Sequence, residues 1–169
     1  REKGFHERKI LLSNNKELEL EIGTTVTTYR GRQVVMITLK DISKRKAMQR
    51  QLAEAEYKYR SLVEASLTGV YIYQNGKVIY VNPYIEEVSG YSSEEIYNMD
   101  FLNLIYHEDR ALVMNALEKL RFGAKKAFVE VRGVKKDGRI YYVQLQGTSA
   151  IYNGEPALIG TLIDITERK

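Results

Sequence analysis

Slid along itself by 123 positions, the chain repeats. Residues 5–46 fall on residues 128–169 without a gap, and 11 of the 42 pairs are identical, among them Phe5/Phe128, Glu7/Glu130, Gly31/Gly154, Leu39/Leu162, Asp41/Asp164 and Lys46/Lys169. In each copy a turn (Asn14-Asn15 or Asp137-Gly138) precedes an alternating apolar run, Leu18-Leu20-Ile22 or Tyr141-Val143-Leu145. A second turn at Gly31 or Gly154 and a β-rich strand follow, Val34 to Leu39 or Ala157 to Ile163. Each copy therefore reads as a three-stranded antiparallel meander. Three strands alone leave an apolar face in water, so a meander of this kind needs a covering partner.

The two copies differ in what precedes them. Before Phe128 lies a long stretch of further elements, whereas before Phe5 the sequence begins at an Arg. The expected organisation is residues 1–43 as the last strands of a truncated upstream domain, 44–66 as a linker helix and 67–169 as a complete domain. The first meander is then satisfied either by the rest of its own domain or by strand exchange with a second chain. In the linker, Met48, Leu52, Ala55, Tyr59 and Leu62 recur at spacings of 4, 3, 4 and 3 among polar residues, the pattern of a short coiled-coil seam. A homodimer joined along that seam and a helix packing once on its own domain are the two readings.

The second domain opens with two short β runs, Val70 to Tyr73 and Val78 to Val81, around Gln74-Asn75-Gly76-Lys77, a hairpin signal. Asn82-Pro83 places an N-cap residue and an N1 proline at a helix start that Gly90 can end. Ser92 to Glu95 supplies a capping box, Asp100 a cap for Phe101 to Ile105, and Glu108-Asp109 the acidic first turn of a longer helix with Val113, Ala116, Leu117 and Leu120 on its apolar face. The order is two strands, several short helices, one longer helix and three strands, an α+β arrangement.

Composition removes most chemistry. There is no cysteine, so no disulfide, thiolate metal site, cysteine nucleophile or covalent flavin adduct can form, and His6 and His107 are too few for a multi-histidine metal site. The net charge of +4 is uneven: residues 1–60 carry 14 Lys/Arg against 8 Asp/Glu, and the remainder 12 against 14. That excess lies at the chain start and in the run Lys40 to Arg50, a solvated helix start rather than a folded nucleic-acid face. A basic nucleic-acid-associated regulator is the alternative, and it predicts salt-dependent duplex binding. No phosphate-cradling glycine loop and no Ser-His-Asp candidate set is present, so no catalytic residue is named.

Certain pieces, in this order, resemble the PAS sensor domains of bacterial and archaeal signalling proteins. They are the Tyr57-to-Gly69 entry with Arg60-Ser61-Leu62, the passage Val78-Ile79-Tyr80-Val81-Asn82-Pro83, Gly90-Tyr91-Ser92, His107-Glu108-Asp109-Arg110, Lys136-Asp137-Gly138 and the terminal Asp164-Ile165-Thr166-Glu167-Arg168-Lys169. The resemblance covers residues 57–169 as a whole domain and 5–43 as the last three strands of another. Two positions depart from the pattern: Glu108, where the family usually has proline, and Ser43, where the second copy has Thr166.

The resemblance implies a five-stranded antiparallel sheet with short helices over one face, enclosing a pocket that holds a small molecule or stays empty. It implies a cytoplasmic, non-catalytic sensory module whose output domain, such as a histidine kinase or nucleotide cyclase, lies downstream. It also casts Asp41, Ser43, Asp164 and Thr166 as a relay from sheet to outgoing helix. On an extended strand, residues two apart share a side, so carboxylate and hydroxyl can meet there, and a plain strand terminator and helix cap is the simpler reading. The expected pocket residues are Val70, Ile72, Val78, Tyr80, Phe101, Leu117 and Val131. Seven tyrosines between Tyr71 and Tyr106 serve either core packing or a polar ligand. The cofactor is left open: some members of the family bind haem through one histidine, but His107 sits in a helix-start motif carried regardless of cofactor, so capping is preferred to axial ligation. A module serving only protein–protein interaction is the further alternative.

Overall fold

Hairpin turns set the register of both meanders. In the computed structural model, which describes residues 4–169, the first copy comprises β1 (Gly4–Leu11), β2 (Glu17–Tyr29) and β3 (Arg32–Asp41). The second comprises β6 (Lys126–Val134), β7 (Ile140–Tyr152) and β8 (Glu155–Asp164). Adding 123 to the bounds of β2 and β3 gives those of β7 and β8, and pairing follows: Leu20 faces Asp41 as Val143 faces Asp164, and Tyr29 faces Arg32 as Tyr152 faces Glu155. Both second turns are two-residue loops with positive φ at both positions, 49° and 74° at Arg30-Gly31, 51° and 81° at Asn153-Gly154. That is the type I′ signature, whose twist matches the flanking strands.

The described chain divides between Tyr59 and Arg60 into two units. In the first, β1, β2 and β3 form a sheet in that order, and helix α1 (Ser43–Glu64) begins directly after β3. Early α1 is tied to the strands by ion pairs: Lys46 to Glu7 at 2.6 Å, Arg45 to Glu7 and Glu21, and Arg50 to Glu19. Three of the basic residues that raise the local charge are thus already paired. No residue of α1 is buried, and every residue of β3 is exposed.

The second unit is a five-stranded antiparallel sheet in the order β5-β4-β8-β7-β6, with β4 (Gly69–Gln74) and β5 (Lys77–Val81) added beyond β8. Between β5 and β6 run α2 (Pro83–Ser89), α3 (Ser93–Asn98), two 3₁₀ turns (Phe101–Leu104 and His107–Asp109) and α4 (Arg110–Arg121). Their termini follow local chemistry. Gly90 closes α2 at φ 77°, Ser92 and Glu95 form a reciprocal capping box, and the Asp100 carboxylate accepts from the Leu102 N–H. The core lies between these helices and the sheet, with Ile85, Ile96, Ile105, Val113, Val131, Tyr141, Val143 and Leu162 buried.

Asn82 and Asp109, both at helix starts, spend their side chains elsewhere for one reason. Asn82 occupies the N-cap position of α2, but its side chain makes no cap bond. It is fully buried, accepts from the Val70 N–H at 2.8 Å and donates to the carbonyls of Val63 and Thr68 at 3.0 Å. Asp109 precedes α4 and likewise makes no cap bond. Its carboxylate accepts from the Arg132 backbone at 2.7 Å and from the guanidinium at 2.6 and 2.9 Å. In both cases partners from elsewhere in the unit claim the buried side chain ahead of the helix end, because an unpaired polar group costs more when buried. Among the described residues no helix is long and apolar enough to cross a membrane.

Candidate ligand cavity and helix-exit clamp

A cavity of about 90 Å³ lies inside the second unit. Its walls come from β4 (Tyr71, Tyr73), β5 (Val78, Val81), α2 (Ile85, Ser89), Ile96 of α3, the turns at Phe101 to Ile105, α4 (Val113, Leu117) and the inner face of the sheet (Tyr141, Val143, Leu145, Leu162). Two tyrosine rings pack closely against glycines of the neighbouring strand. A Cβ on Gly160 would fall 2.2 Å from the Tyr71 ring and one on Gly133 would fall 2.3 Å from Tyr141, so both positions require glycine for the close approach. Burial pushes the Tyr71 phenol up to about 12 and raises that of Tyr141 as well, with the nearby Asp164 carboxylate adding to the latter.

Of the seven expected pocket residues, Val78, Phe101 and Leu117 line this cavity, and Val70, Ile72, Tyr80 and Val131 do not. The strand pairing explains three of the misses. Val70 and Ile72 have the opposite parity to Tyr71 and Tyr73, which point inward. On β5, a bulge at Ile79 lets Val78 pair with Tyr73, Tyr80 with Ile72 and Val81 with Tyr71. Val78 and Val81 therefore share the inner face although they are three apart, and Tyr80 is turned outward. Val131 is 3% exposed and belongs to the same core cluster as the lining residues Ile105, Val113, Tyr141 and Val143, but it does not itself reach the cavity.

The relay residues form the same small cluster twice. The Asp164 carboxylate accepts from the Thr166 N–H at 2.9 Å and from its hydroxyl, and the Thr166 Oγ1 accepts from the Tyr142 N–H on β7 at 3.0 Å. The Asp41 carboxylate accepts from the Ser43 N–H at 2.9 Å, and the Ser43 Oγ accepts from the Glu19 N–H on β2 at 2.9 Å. Position 19 plus 123 is position 142. Between acid and hydroxyl, Ile42 and Ile165 are buried to 2% and 3% exposure, and their N–H groups reach the Glu19 and Tyr142 carbonyls, each at 2.8 Å. The Ser43 hydroxyl and N–H hold the Asp41 carboxyl below its ordinary range.

A further element of this cluster had a signal in the sequence that its reading did not use. Glu7 and Glu130 are identical across the repeat, as are Lys46 and Lys169, and the structure joins them as ion pairs at 2.6 and 2.9 Å. Each exit is thus fastened at two points, by acid and hydroxyl to the middle strand and by lysine and glutamate to the edge strand.

The remaining named residues lie apart from the cavity. The His107 side chain is 67% exposed and its ring meets that of Tyr106 at 4.4 Å. Along α1, Met48, Leu52, Tyr59 and Leu62 are exposed and Ala55 is half-buried, so the seam residues form an uncovered apolar stripe. Among the described residues no three His, Cys, Asp or Glu side chains gather into a metal site.

Comparison with known proteins decides the family. A sequence model of the family described as PAS fold matches residues 78–162, 85 of the 169. The chain belongs to the PAS family. Sporulation kinase A of Bacillus subtilis is 27% identical over 159 residues, which span 90% of this chain and 25% of that protein. The methyl sulfide methyltransferase-associated sensor of Methanosarcina acetivorans is 29% identical over 120 residues, 70% of this chain and 12% of that protein. This PAS chain therefore spans a quarter or less of these relatives. Among solved structures, the PAS domain of an HTR-like protein from Haloarcula marismortui aligns over 71% of this chain and 99% of its own at a TM-score of 0.62 and 20% identity. A domain of the putative light and redox sensing histidine kinase from the same organism aligns over 65% and 99% at 0.51 and 28%. The α+β fold of the second unit is the fold of these domains.

Proposed function

We propose that this chain is a non-catalytic sensory and signal-relay segment of a multidomain signalling protein, a sensor histidine kinase in the first instance. On this reading residues 67–169 are a complete PAS domain, 44–66 a helical linker, and 1–43 the last strands of a second PAS domain. The cavity is the input. The two Asp-Ile-Ser/Thr exits are the outputs, and the exposed stripe on α1 is the seam of a homodimer. The observation that carries the reading is the duplicated clamp. Cap chemistry alone requires one acceptor at a helix start, whereas here the same acid, hydroxyl and lysine recur at the same offsets with the same partners on the same strands. A displacement of the middle or edge strand moves the first turn of the helix with it. Sporulation kinase A, which matches 90% of this chain, is a kinase by name, and that supports this class of output.

The test is made in the full-length protein that contains this chain, with phosphoryl transfer or the native output as the readout. Asp41→Ala and Asp164→Ala are expected to change the ratio of stimulated to basal output several-fold while leaving the melting profile of the cavity domain within a few degrees. Output and stimulus response both unchanged in the double variant would refute the relay and leave the cluster as strand terminators.

A further inference from the structure

We infer that the cavity of the second unit selects a small, uncharged, apolar molecule no larger than a single six-membered ring. The inference rests on the reading of that cavity as the input and adds the chemical class of what enters it. Three observations carry it. First, no charged side chain lines the cavity; its polar atoms are three phenols and the Ser89 hydroxyl. Second, two of those polar atoms have their own partners: the Ser89 Oγ accepts from the Tyr91 N–H at 3.3 Å, and the Tyr71 hydroxyl points at the Gln146 carbonyl at 3.5 Å. Among the described residues no fully buried side-chain nitrogen or oxygen lacks a partner, so no fully buried polar atom of the wall is left for a ligand to satisfy. A bound carboxylate or phosphate would be stripped of water with no cation facing it, which is the costliest way to bury a group.

Third, the size is wrong for an extended ligand. Sites for drug-sized molecules run to roughly 300–1,000 Å³, and an apolar cavity of about 150 Å³ holds benzene or xenon, against about 90 Å³ here. The Tyr71 and Tyr141 rings already occupy the space that a Cβ would take at Gly160 and Gly133, so that wall has little room to back away for a larger guest. Their raised phenol pKa values keep both rings neutral across the physiological range, and neither offers a counter-charge.

The test uses the 169-residue chain with xenon, benzene and benzoate as probes, followed by ¹³C-methyl NMR and thermal melting. Xenon or benzene is expected to give saturable shifts confined to methyls that line the cavity, those of Val78, Val113, Leu117 and Val143 among them, and to raise the melting temperature. Benzoate is expected to bind at least about tenfold more weakly, the penalty for an unpaired buried charge. Val143→Thr, which keeps the shape and adds a hydroxyl, should weaken benzene binding; Leu117→Gln on the half-buried side of α4 makes the same test if the first variant does not fold. Benzoate binding as well as benzene, with the same methyls shifted, would overturn the apolar class and leave the cavity as the input. No probe shifting those methyls would overturn both.

Discussion

Leu39 and Leu162 are the same residue at the same point of the same meander, paired with Ile22 and Leu145 in matching registers, yet Leu39 is 61% exposed and Leu162 is 8% exposed. Val35 and Leu158 differ in the same way, at 62% and 7%. Everything that distinguishes them lies outside the meander. In the second unit β4 pairs with the outer edge of β8, and the short helices and α4 pack over the sheet's inner face. In the first unit β3 is an edge strand and its apolar residues meet solvent. Pairing, turn type and exit clamp are therefore encoded within about forty residues, whereas burial is conferred by the segment that precedes β6. The local code makes a sheet, and only the added layer makes a core.

The largest expected effect tests that division directly. Leu162→Ala removes a buried side chain from the cavity wall and should cost roughly 2–5 kcal/mol, as large-to-small core changes do. Leu39→Ala should stay within about 0.5 kcal/mol, the range of surface substitutions. Urea unfolding followed by amide exchange on β3 and β8 separates the two. A cost for Leu39→Ala that matches Leu162→Ala would mean that the inner face of the first sheet is covered in solution, by a second chain or by the rest of a domain.

Ion pairs at equivalent positions sharpen the contrast. Arg132 corresponds to Lys9, and each is bound to an acid. The Lys9 ammonium meets Glu17 at 2.8 Å with both side chains more than half exposed, whereas Arg132 holds Asp109, whose side chain is 12% exposed. Arg132 depresses the Asp109 carboxyl below its ordinary value chiefly through their side-chain hydrogen bonds, with burial opposing the shift and His107 adding slightly to it. A carboxyl with a lowered folded pKa stabilises fully above its unfolded value, about 3.9, and loses that contribution as pH falls through the folded value. Asp109→Asn is expected to cost roughly 2 kcal/mol at neutral pH and to flatten the fall in stability of the second unit below about pH 4. Glu17→Gln, at an exposed pair, should change neither. Equal acid profiles for the wild type and Asp109→Asn would sink the assignment.

These contrasts also mark what can be read from residues alone. The meanders, the Asn75-Gly76 hairpin, the Ser92–Glu95 capping box and the order of helices were legible, because each follows from short-range periodicity or from one residue's turn chemistry. The five-stranded sheet with helices then followed from their order. The cavity wall was less legible. Its inner parity on β4 belongs to Tyr71 and Tyr73, and both faces of that strand are apolar enough to be the buried one. On β5 the bulge at Ile79 breaks the alternation that would have sorted Val78 from Tyr80, and no residue type marks it. The side-chain partners of Asn82 and Asp109 were not legible, because they lie 12 to 23 residues away in sequence. The Glu7–Lys46 and Glu130–Lys169 pairs stood in the repeat itself, as identities whose only common feature is charge. Reading the identities as pairs, not as single matches, would have found them.

The smallest expected effect concerns the one turn position where the copies disagree in backbone suitability. Arg30 and Asn153 both sit at the first central position of a type I′ turn, at φ 49° and 51°. Asparagine tolerates this left-handed region because its short side chain bonds locally, and an arginine there carries a Cβ penalty with no such return. The register of β2–β3 is nevertheless the same as that of β7–β8, so the strands and Gly31 hold the turn against an unsuitable residue. Exchanging the residues should move the copies in opposite directions: Arg30→Asn should stabilise the first hairpin by roughly 0.5–1 kcal/mol and Asn153→Arg should weaken the second by a similar amount. Amide exchange at the strand ends, Thr28 to Val34 and Ile151 to Ala157, reads both without requiring global unfolding. Opposite signs would confirm that the turn acts locally and alike in both copies. A change felt in only the second would show that the first hairpin takes its register from something other than its turn.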